Sequence, residues 1–487
     1  MAEGAQSFDV VVIGAGPGGY VAALRAAARG LSAAVVERDR LGGVCANQGC
    51  IPTKALLRSA EVFATMRDAA SFGIRASAVE IDLAAIVDRA RKTASRMEKT
   101  VEALLRAAKV PVLRGDATLD GRGKVRIKAA AGESVVCARH IILATGARAK
   151  VPPGMESDGR VVWTYPDALV PPALPGSLAV VGAGAIGVEF ASFFRTLGSE
   201  VTLIEMQPRI LPLEDADIGE AMQRAMKKQG VRILTGATVS DVAKEQDSVS
   251  LTLTMASGTE AVRADRLLVA TGIAANVEGL GLEQTRVRVD RGHVVVDEWL
   301  ATGEEGIYAI GDLTGPPWLA HKASREAVVC IDRIAGAAGA RPLIASQVPS
   351  CTYARPQAAS VGLTEAAAKQ AGRTLRIGRA TFVGNGKARA LGETDGFCKT
   401  LFDATTGELV GAHLIGPEVT ELIPAFALAL AGELTEAEIL ATVFPHPTLS
   451  EVIAEAVEAA FPVQPAGFSE KKAPPARESG SAGGDGD

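Results

Sequence analysis

Two cysteines, Cys45 and Cys50, stand with four residues between them in GGVCANQGCIPTK (Gly42 to Lys54), and the 487-residue chain has only six cysteines in all. A thiol pair at this spacing suits disulfide exchange or metal binding. In a regular α-helix the two Cα atoms would lie roughly 8 to 9 Å apart, beyond the ~7 Å that a disulfide tolerates. Either the pair is unbonded or the backbone is distorted. Pro52 offers no N–H to the carbonyl of Gln48, and Gly42, Gly43 and Gly49 loosen the chain further. A zinc site would need two more ligands, and no second Cys/His cluster appears. Thiol exchange also needs a base, because thiolate is the reactive form. Of the five histidines, only His446, in FPHPTLSE, combines flanking prolines with a nearby acid, Glu451. That pairing supplies an imidazole and a carboxylate to orient it. The plainer alternative is a turn histidine before a helix capped at Thr448 or Ser450.

The elements around these residues have a repeated plan. FDVVVIGAGPGGYVAALRAAARGLSAAVVERD reads as strand, glycine turn, helix and second strand, with Gly14, Gly16 and Gly19 in the turn and Glu37 ending the second strand. The glycines permit a tight turn and close approach of a pyrophosphate, and the acid can accept from a ribose hydroxyl. The pattern returns with Gly182, Gly184, Gly187 and Glu205. One such turn is weak evidence; two complete copies predict two dinucleotide sites. Two further strand ends repeat as well, ILATG with Thr145 and Gly146, and LVATG with Gly272. YAIGD then delivers Asp312 to the carboxyl end of a strand, where ligands of such sheets bind. From about Cys351 the pattern shifts to strands with turns backed by helices. Two nucleotide sites and a thiol pair point to electrons passing between a nicotinamide and a disulfide through a flavin.

The chain carries a net charge of −5 with both signs interspersed, which argues against nucleic acid as the main partner. It shows neither a secretory leader nor a membrane-spanning apolar run, so a cytoplasmic location is expected.

In combination, the cysteine stretch, both glycine units, YAIGD, LAHKA and HPTLSE resemble the class I pyridine nucleotide-disulfide oxidoreductases, and within them the members that oxidise protein-bound dihydrolipoyl groups. The resemblance runs from about Phe8 to Pro462. It implies an α/β fold with two Rossmann-like nucleotide-binding domains, the NAD domain inserted in the FAD domain, plus a C-terminal α+β dimerisation domain. The expected divisions are residues 1–155 and 278–350 for FAD, 156–277 for NAD, 351–465 for the interface, and 466–487 as a disordered tail. The implied cofactors are FAD and NAD, with Glu205 favouring NAD over its 2′-phosphorylated form. The resemblance makes Cys45 the thiol that exchanges with substrate, Cys50 the thiol beside the flavin, and His446 with Glu451 the base, donated by the other subunit of a homodimer. Lys54 and Glu189 match a pair on the nicotinamide side of the flavin. Asp312 matches a contact to the ribityl chain, and Ala320 and His321 a loop whose backbone meets the pyrimidine edge. The implied partner is the lipoyl domain of a 2-oxo acid dehydrogenase E2 subunit or a lipoylated carrier protein.

Three positions depart from the family pattern: Phe444 stands where a second histidine is common, Ile273 to Asn276 replace an Arg-x-Pro-Asn run, and Ala46 is smaller than usual. Rival readings are reduction of another small disulfide, or a flavin-holding redox sensor or scaffold. A sensor needs no substrate base, so His446 and Glu451 argue against it.

Overall fold

The computed structural model describes residues 6–462; the expected disordered tail at 466–487 lies outside them. Three sheets organise the chain. The first runs Val112–Arg114, Ala33–Glu37, Gln6–Ile13, Gly132–Leu143, Lys124–Ala129, Asp116–Leu119, and Ile307–Ala309 adds parallel to Gly132–Leu143. Val10, Val11 and Val12 are wholly buried because helices or chain cover both faces, which is why these strands read as continuous apolar runs rather than alternating ones. Each such side chain contributes about 1.5–3 kcal/mol on burial.

The second sheet repeats the plan: Arg232–Thr235, Glu200–Glu205, Ser177–Val181, Arg266–Val269 and Val162–Trp163, all parallel. It is inserted within the first, because Gly132–Leu143 precedes it and Ile307–Ala309 follows it, and these two strands pair. The chain crosses out and back through one antiparallel ribbon, Ala147–Ala149 against Ile273–Ala275. Asn276 closes that crossing: its Nδ2 donates to the Thr145 carbonyl at 2.9 Å, and its own carbonyl accepts from Thr145 Oγ1 at 2.8 Å. The run that departs from the family pattern thus forms the strand and the clasp that join the two nucleotide units.

The third sheet is antiparallel, ordered Ser350–Thr352, Gln357–Gly362, Leu409–Gly416, Phe397–Asp403, Leu375–Thr381. Helices Val419–Ala431 and Glu451–Ala460 pack on it around Phe402, Phe426 and Val457. Phe444 packs against this core, the apolar use of a position where an imidazole is common.

Candidate active site

The cysteines do not share one helix. Cys45 lies in the short helix Gly43–Gln48 and Cys50 is the first residue of Cys50–Arg67, with Gly49 between them at φ −139°, ψ −115°. A side chain at Gly49 would put its Cβ 3.0 Å from the Val44 carbonyl oxygen and 3.4 Å from the Cys45 Cα, so the two segments approach this closely only with glycine there. Pro52 falls in the first turn of the second helix, where its missing N–H breaks no bond. The distortion that brings the thiols together is therefore the break at Gly49, more than the proline.

The two cysteines stand as free thiols interacting with each other, the reduced form of a redox pair. The hydrogen bond between them lowers the Cys50 pKa and raises that of Cys45, and the Lys54 ammonium further favours a Cys50 thiolate. The position of Cys50 at a helix N-terminus acts in the same direction. In a reduced pair the arrangement biases the negative charge toward Cys50 and the proton toward Cys45. Cys351 also lines the cavity, but burial pushes its thiol up to about 11, so it stays protonated at neutral pH.

Both thiols border a cavity of about 620 Å³. Gly14, Gly16, Glu37, Thr145, Gly146, Asp312 and Ala320 line it as well. Gly14 has φ +102°, and a Cβ there would stand 2.3 Å from the Ala144 oxygen, so the turn is packed onto the strand end. Gly16 caps the helix Pro17–Ala28 with no side-chain partner for the helix N–H groups, and a Cβ on it would meet nothing within 4 Å. Uncapped N–H groups opening into a cavity form an anion cradle. Asn47 Oδ1, also lining the cavity, is buried without a partner among the described residues. These features fit a dinucleotide whose pyrophosphate sits at the helix start.

Glu37 has a second task that sequence reasoning missed. Its Oε2 accepts from Ala15 N at 2.7 Å and its Oε1 from Asp39 N at 2.8 Å, so the acid ties the glycine turn to the second strand. Glu205 does the same in the insert, accepting from Ala183 N and Gln207 N at 2.8 Å each. The packing repeats too: at Gly182, φ +101°, an added Cβ would stand 2.3 Å from the Ala270 oxygen, and one at Gly187 would run into the Gly182 carbonyl as one at Gly19 would into that of Gly14. Gly184 leaves the helix Ala185–Leu197 uncapped, and Gly272, at φ +113°, has open space where a Cβ would be. The second turn and Glu205 lie outside the 620 Å³ cavity, whereas Ile186, Glu189 and Phe190, further along the same helix, line it. A dinucleotide on the second turn would thus extend toward the first site.

Lys54, one helical turn after Cys50, donates to both oxygens of Glu189 at 3.0 and 2.9 Å. Asp312 lies on the one-turn helix Gly311–Thr314, and burial pushes its carboxyl up, against the pull of the Lys322 ammonium. Lys322 and Glu326 brace this turn from below. Glu326 accepts from Gly311 N at 2.7 Å, and Lys322 donates to the Gly311 and Gly315 carbonyls at 3.3 and 3.2 Å. Their i,i+4 spacing in LAHKASREA was the available signal. Ala320 begins the helix Ala320–Ile334, and its N–H end faces the cavity. The His321 ring turns instead to the Pro349 carbonyl at 2.7 Å and does not line the cavity.

His446 Nδ1 lies 2.8 Å from Glu451 Oε1, and Glu451 Oε2 accepts from Thr448 N at 2.9 Å. First the His446 bond and then the Thr448 N–H hold the Glu451 carboxyl below its ordinary range. With Nδ1–H committed to the carboxylate, Nε2 is the free basic atom. The imidazole is 78% exposed and does not line the cavity of its own chain.

Against this geometry, two family models match: pyridine nucleotide-disulphide oxidoreductase over residues 8–327, and its dimerisation domain over 348–457. The chain is a pyridine nucleotide-disulphide oxidoreductase. Among relatives of this oxidoreductase, a dihydrolipoyl dehydrogenase of Rhizobium etli is 48% identical over 474 residues, covering 94% of this chain and 98% of that one. One of Zymomonas mobilis is 48% identical over 459 residues, with the same coverage. The LpdA structure from Mycobacterium tuberculosis superposes with TM-score 0.87 at 29% identity, covering 93% of this oxidoreductase and 99% of LpdA. The flavoprotein disulfide reductase RclA from Escherichia coli gives 0.80 at 26% identity, covering 92% and 99%. The family uses FAD and NAD, and the two glycine cradles of this oxidoreductase fit them.

Proposed function

We propose that this oxidoreductase oxidises protein-bound dihydrolipoyl groups to lipoyl while reducing NAD⁺ to NADH, as the E3 component of a 2-oxo acid dehydrogenase complex. The observation that carries the reading is the thiol pair, with its charge biased to Cys50, bordering the same cavity as the first glycine turn, Asp312 and the Lys54–Glu189 pair. Identity of 48% over most of the chain to two dihydrolipoyl dehydrogenases supports the same substrate.

In this reading the cycle starts from the Cys45–Cys50 disulfide. His446 Nε2, from the other subunit of a homodimer, takes the proton of one substrate thiol. The resulting thiolate attacks Cys45 Sγ, the disulfide breaks, and Cys50 leaves as thiolate, stabilised by Lys54 and its helix N-terminus. The second substrate thiol then attacks the mixed disulfide, its proton passes to the departing Cys45 sulfur, and the lipoyl disulfide is released. The chain is left with Cys45 as thiol and Cys50 as thiolate, in line with the charge bias described above. Glu451 keeps the imidazole oriented and stabilises its protonated form. When bound, FAD supplies the two-electron relay between this pair and NAD⁺. Gly14, Gly16, Gly19, Glu37, Thr145, Gly146, Asp312, Ala320 and the His321 backbone would hold FAD; Gly182, Gly184, Gly187, Glu205 and Gly272 would hold NAD.

The lipoyl domain of an E2 subunit or a lipoylated carrier protein would present the substrate. We place the protein in the cytoplasm; among the described residues no helix is long and apolar enough to cross a membrane. Anaerobic stopped-flow mixing of FAD-loaded protein with dihydrolipoamide tests the function: a long-wavelength thiolate-to-flavin band forms, and NADH follows on adding NAD⁺. Absence of both overturns it. Hybrid dimers of C45S and H446Q chains test the shared site. Each parent is inactive in dithiol oxidation and the hybrid recovers activity; a base used within its own chain gives no recovery.

A further inference from the structure

Tyr353 follows the edge strand Ser350–Thr352 of the C-terminal sheet, yet it reaches the pair assigned to the nicotinamide side of the flavin. Its backbone N–H donates to Glu189 Oε1 at 3.0 Å, and its ring lies under the Lys54 ammonium, with Nζ 4.6 Å from the centroid. Glu189 is buried, with 6% of its side chain exposed, and accepts from Lys54 through both oxygens. Lys54 itself is a third exposed and borders two spaces, the cavity and a polar cleft of about 1140 Å³ that Tyr353 also lines. A flexible lysine at such a boundary has rotamers that leave the carboxylate for water. An aromatic face on one side and a carboxylate on the other leave one favoured position. The phenol itself is raised to about 12, by burial first, so it stays neutral and adds no charge to the pair.

Resting on the reading of Lys54 and Glu189 given above, we propose that Tyr353 is a positioning residue: its ring holds the Lys54 ammonium against Glu189 at the cavity wall, and it acts chiefly on the nicotinamide half-reaction. The thiol exchange at Cys45 and its base His446 are not among the groups Tyr353 holds, so the dithiol half-reaction feels Tyr353 only through the Lys54 charge near Cys50. The backbone N–H to Glu189 survives any substitution except proline, so side-chain variants isolate the ring.

The test uses the FAD-loaded full chain in two half-reactions. In Y353L, reduction of the oxidised protein by NADH slows roughly ten- to a hundredfold, the scale of a small misplacement of a positioned group, while formation of the long-wavelength band with dihydrolipoamide loses much less, because Lys54 is only one of the influences on Cys50. Y353F keeps the ring and restores the NADH rate. Y353M fills the space without a ring and repeats the Y353L split should Y353L fail to retain FAD. Apart from turnover, fluorescence of the resting flavin, which reports the nearby ammonium, shifts in Y353L and Y353M and not in Y353F. Three outcomes overturn the inference: a wild-type NADH rate in the ringless variants, Y353F as slow as Y353L, or both half-reactions falling by the same factor. Failure of wild-type protein to oxidise dihydrolipoamide would instead overturn the proposed substrate, leaving the NADH comparison intact.

Discussion

Replacing Lys399 by methionine probes the contact between the inserted nucleotide unit and the C-terminal sheet. Lys399 is 1% exposed on the strand Phe397–Asp403, and its ammonium bonds Asp215 at 2.8 Å, Asp217 at 2.7 Å and Glu365 at 2.6 Å. Two of those acids have a second cation: Arg379 on Asp217 and Lys369 on Glu365. Asp215, also 1% exposed, has among the described residues only backbone donors besides, the N–H groups of Asp217 and Glu365. Lys399→Met therefore strands one buried carboxylate rather than three, and should cost about 3–5 kcal/mol. Adding Asp215→Asn removes that charge and should recover all but about 1–2 kcal/mol, the worth of the imperfectly paired amide. Urea titrations of the FAD-loaded protein, followed by circular dichroism, measure both. Hydrogen exchange over residues 216–228 shows whether the loss is local to the insert. A K399M variant within 0.5 kcal/mol of wild type, or a double variant no better than K399M, would sink the argument. The pH dependence follows from the shifts. Asp215 is held below its ordinary 3.8, so its contribution is present above that value and lost as pH falls through the lower folded one. Lys399 is raised above 10.5, so its contribution is present below that value and lost only as pH climbs through the higher folded one. In K399M, burial, already the largest single influence on Asp215, loses its main opponent, so the carboxyl protonates at higher pH and the penalty shrinks on acidification.

His446→Gln should slow dithiol oxidation by about 10²- to 10⁴-fold while NADH still reduces the flavin at the wild-type rate, as stopped-flow absorbance would record; equal losses in both would remove the histidine from proton transfer. Glu205→Ala removes the acceptor of Ala183 N and Gln207 N, so the KM for NAD⁺ should rise at least roughly tenfold, the scale of one charge-assisted hydrogen bond, with the thiolate-flavin band unchanged. Gly49→Ala places a methyl 3.0 Å from the Val44 oxygen and should lower the fraction of Cys45–Cys50 disulfide in a glutathione buffer, counted by mass spectrometry after alkylation; an unchanged fraction would show that Gly49 does not set the approach.

What could be read from sequence was whatever repeats or stands at a fixed spacing. The glycine turns, Glu37 and Glu205, and the strand ends at Thr145 and Gly272 are local patterns, and each appears twice. The thiol pair was legible as chemistry, but its geometry was assigned too much to Pro52, because a proline is visible in one dimension and the close approach of Gly49 to Cys45 is not. Tyr353 and Glu189 lie 164 residues apart, Asn276 and Thr145 131 apart. No periodicity links such pairs; they meet only because separate sheets pack. Lys322 and Glu326 lay between these cases. Their spacing was on view, but the turn they brace became identifiable only once Gly311 was seen above them.

The ribbon of Ala147–Ala149 and Ile273–Ala275 bears on how such a molecule can be assembled and altered. Outgoing and returning chains run side by side there and are tied by Asn276, so residues 150–272 join the rest covalently through one stalk whose two ends are already neighbours, while Glu189, Asp215 and Asp217 carry their packing on the other units. Length or sequence can change within that span while the strands Gly132–Leu143 and Ile307–Ala309 keep their register. The stalk makes the insert an exchangeable cartridge on one condition: a unit with another cofactor preference, grafted between the same two crossings, must bring its own partners for Lys54 and Lys399, and then meets the thiol cavity without any change to the sheet that builds it.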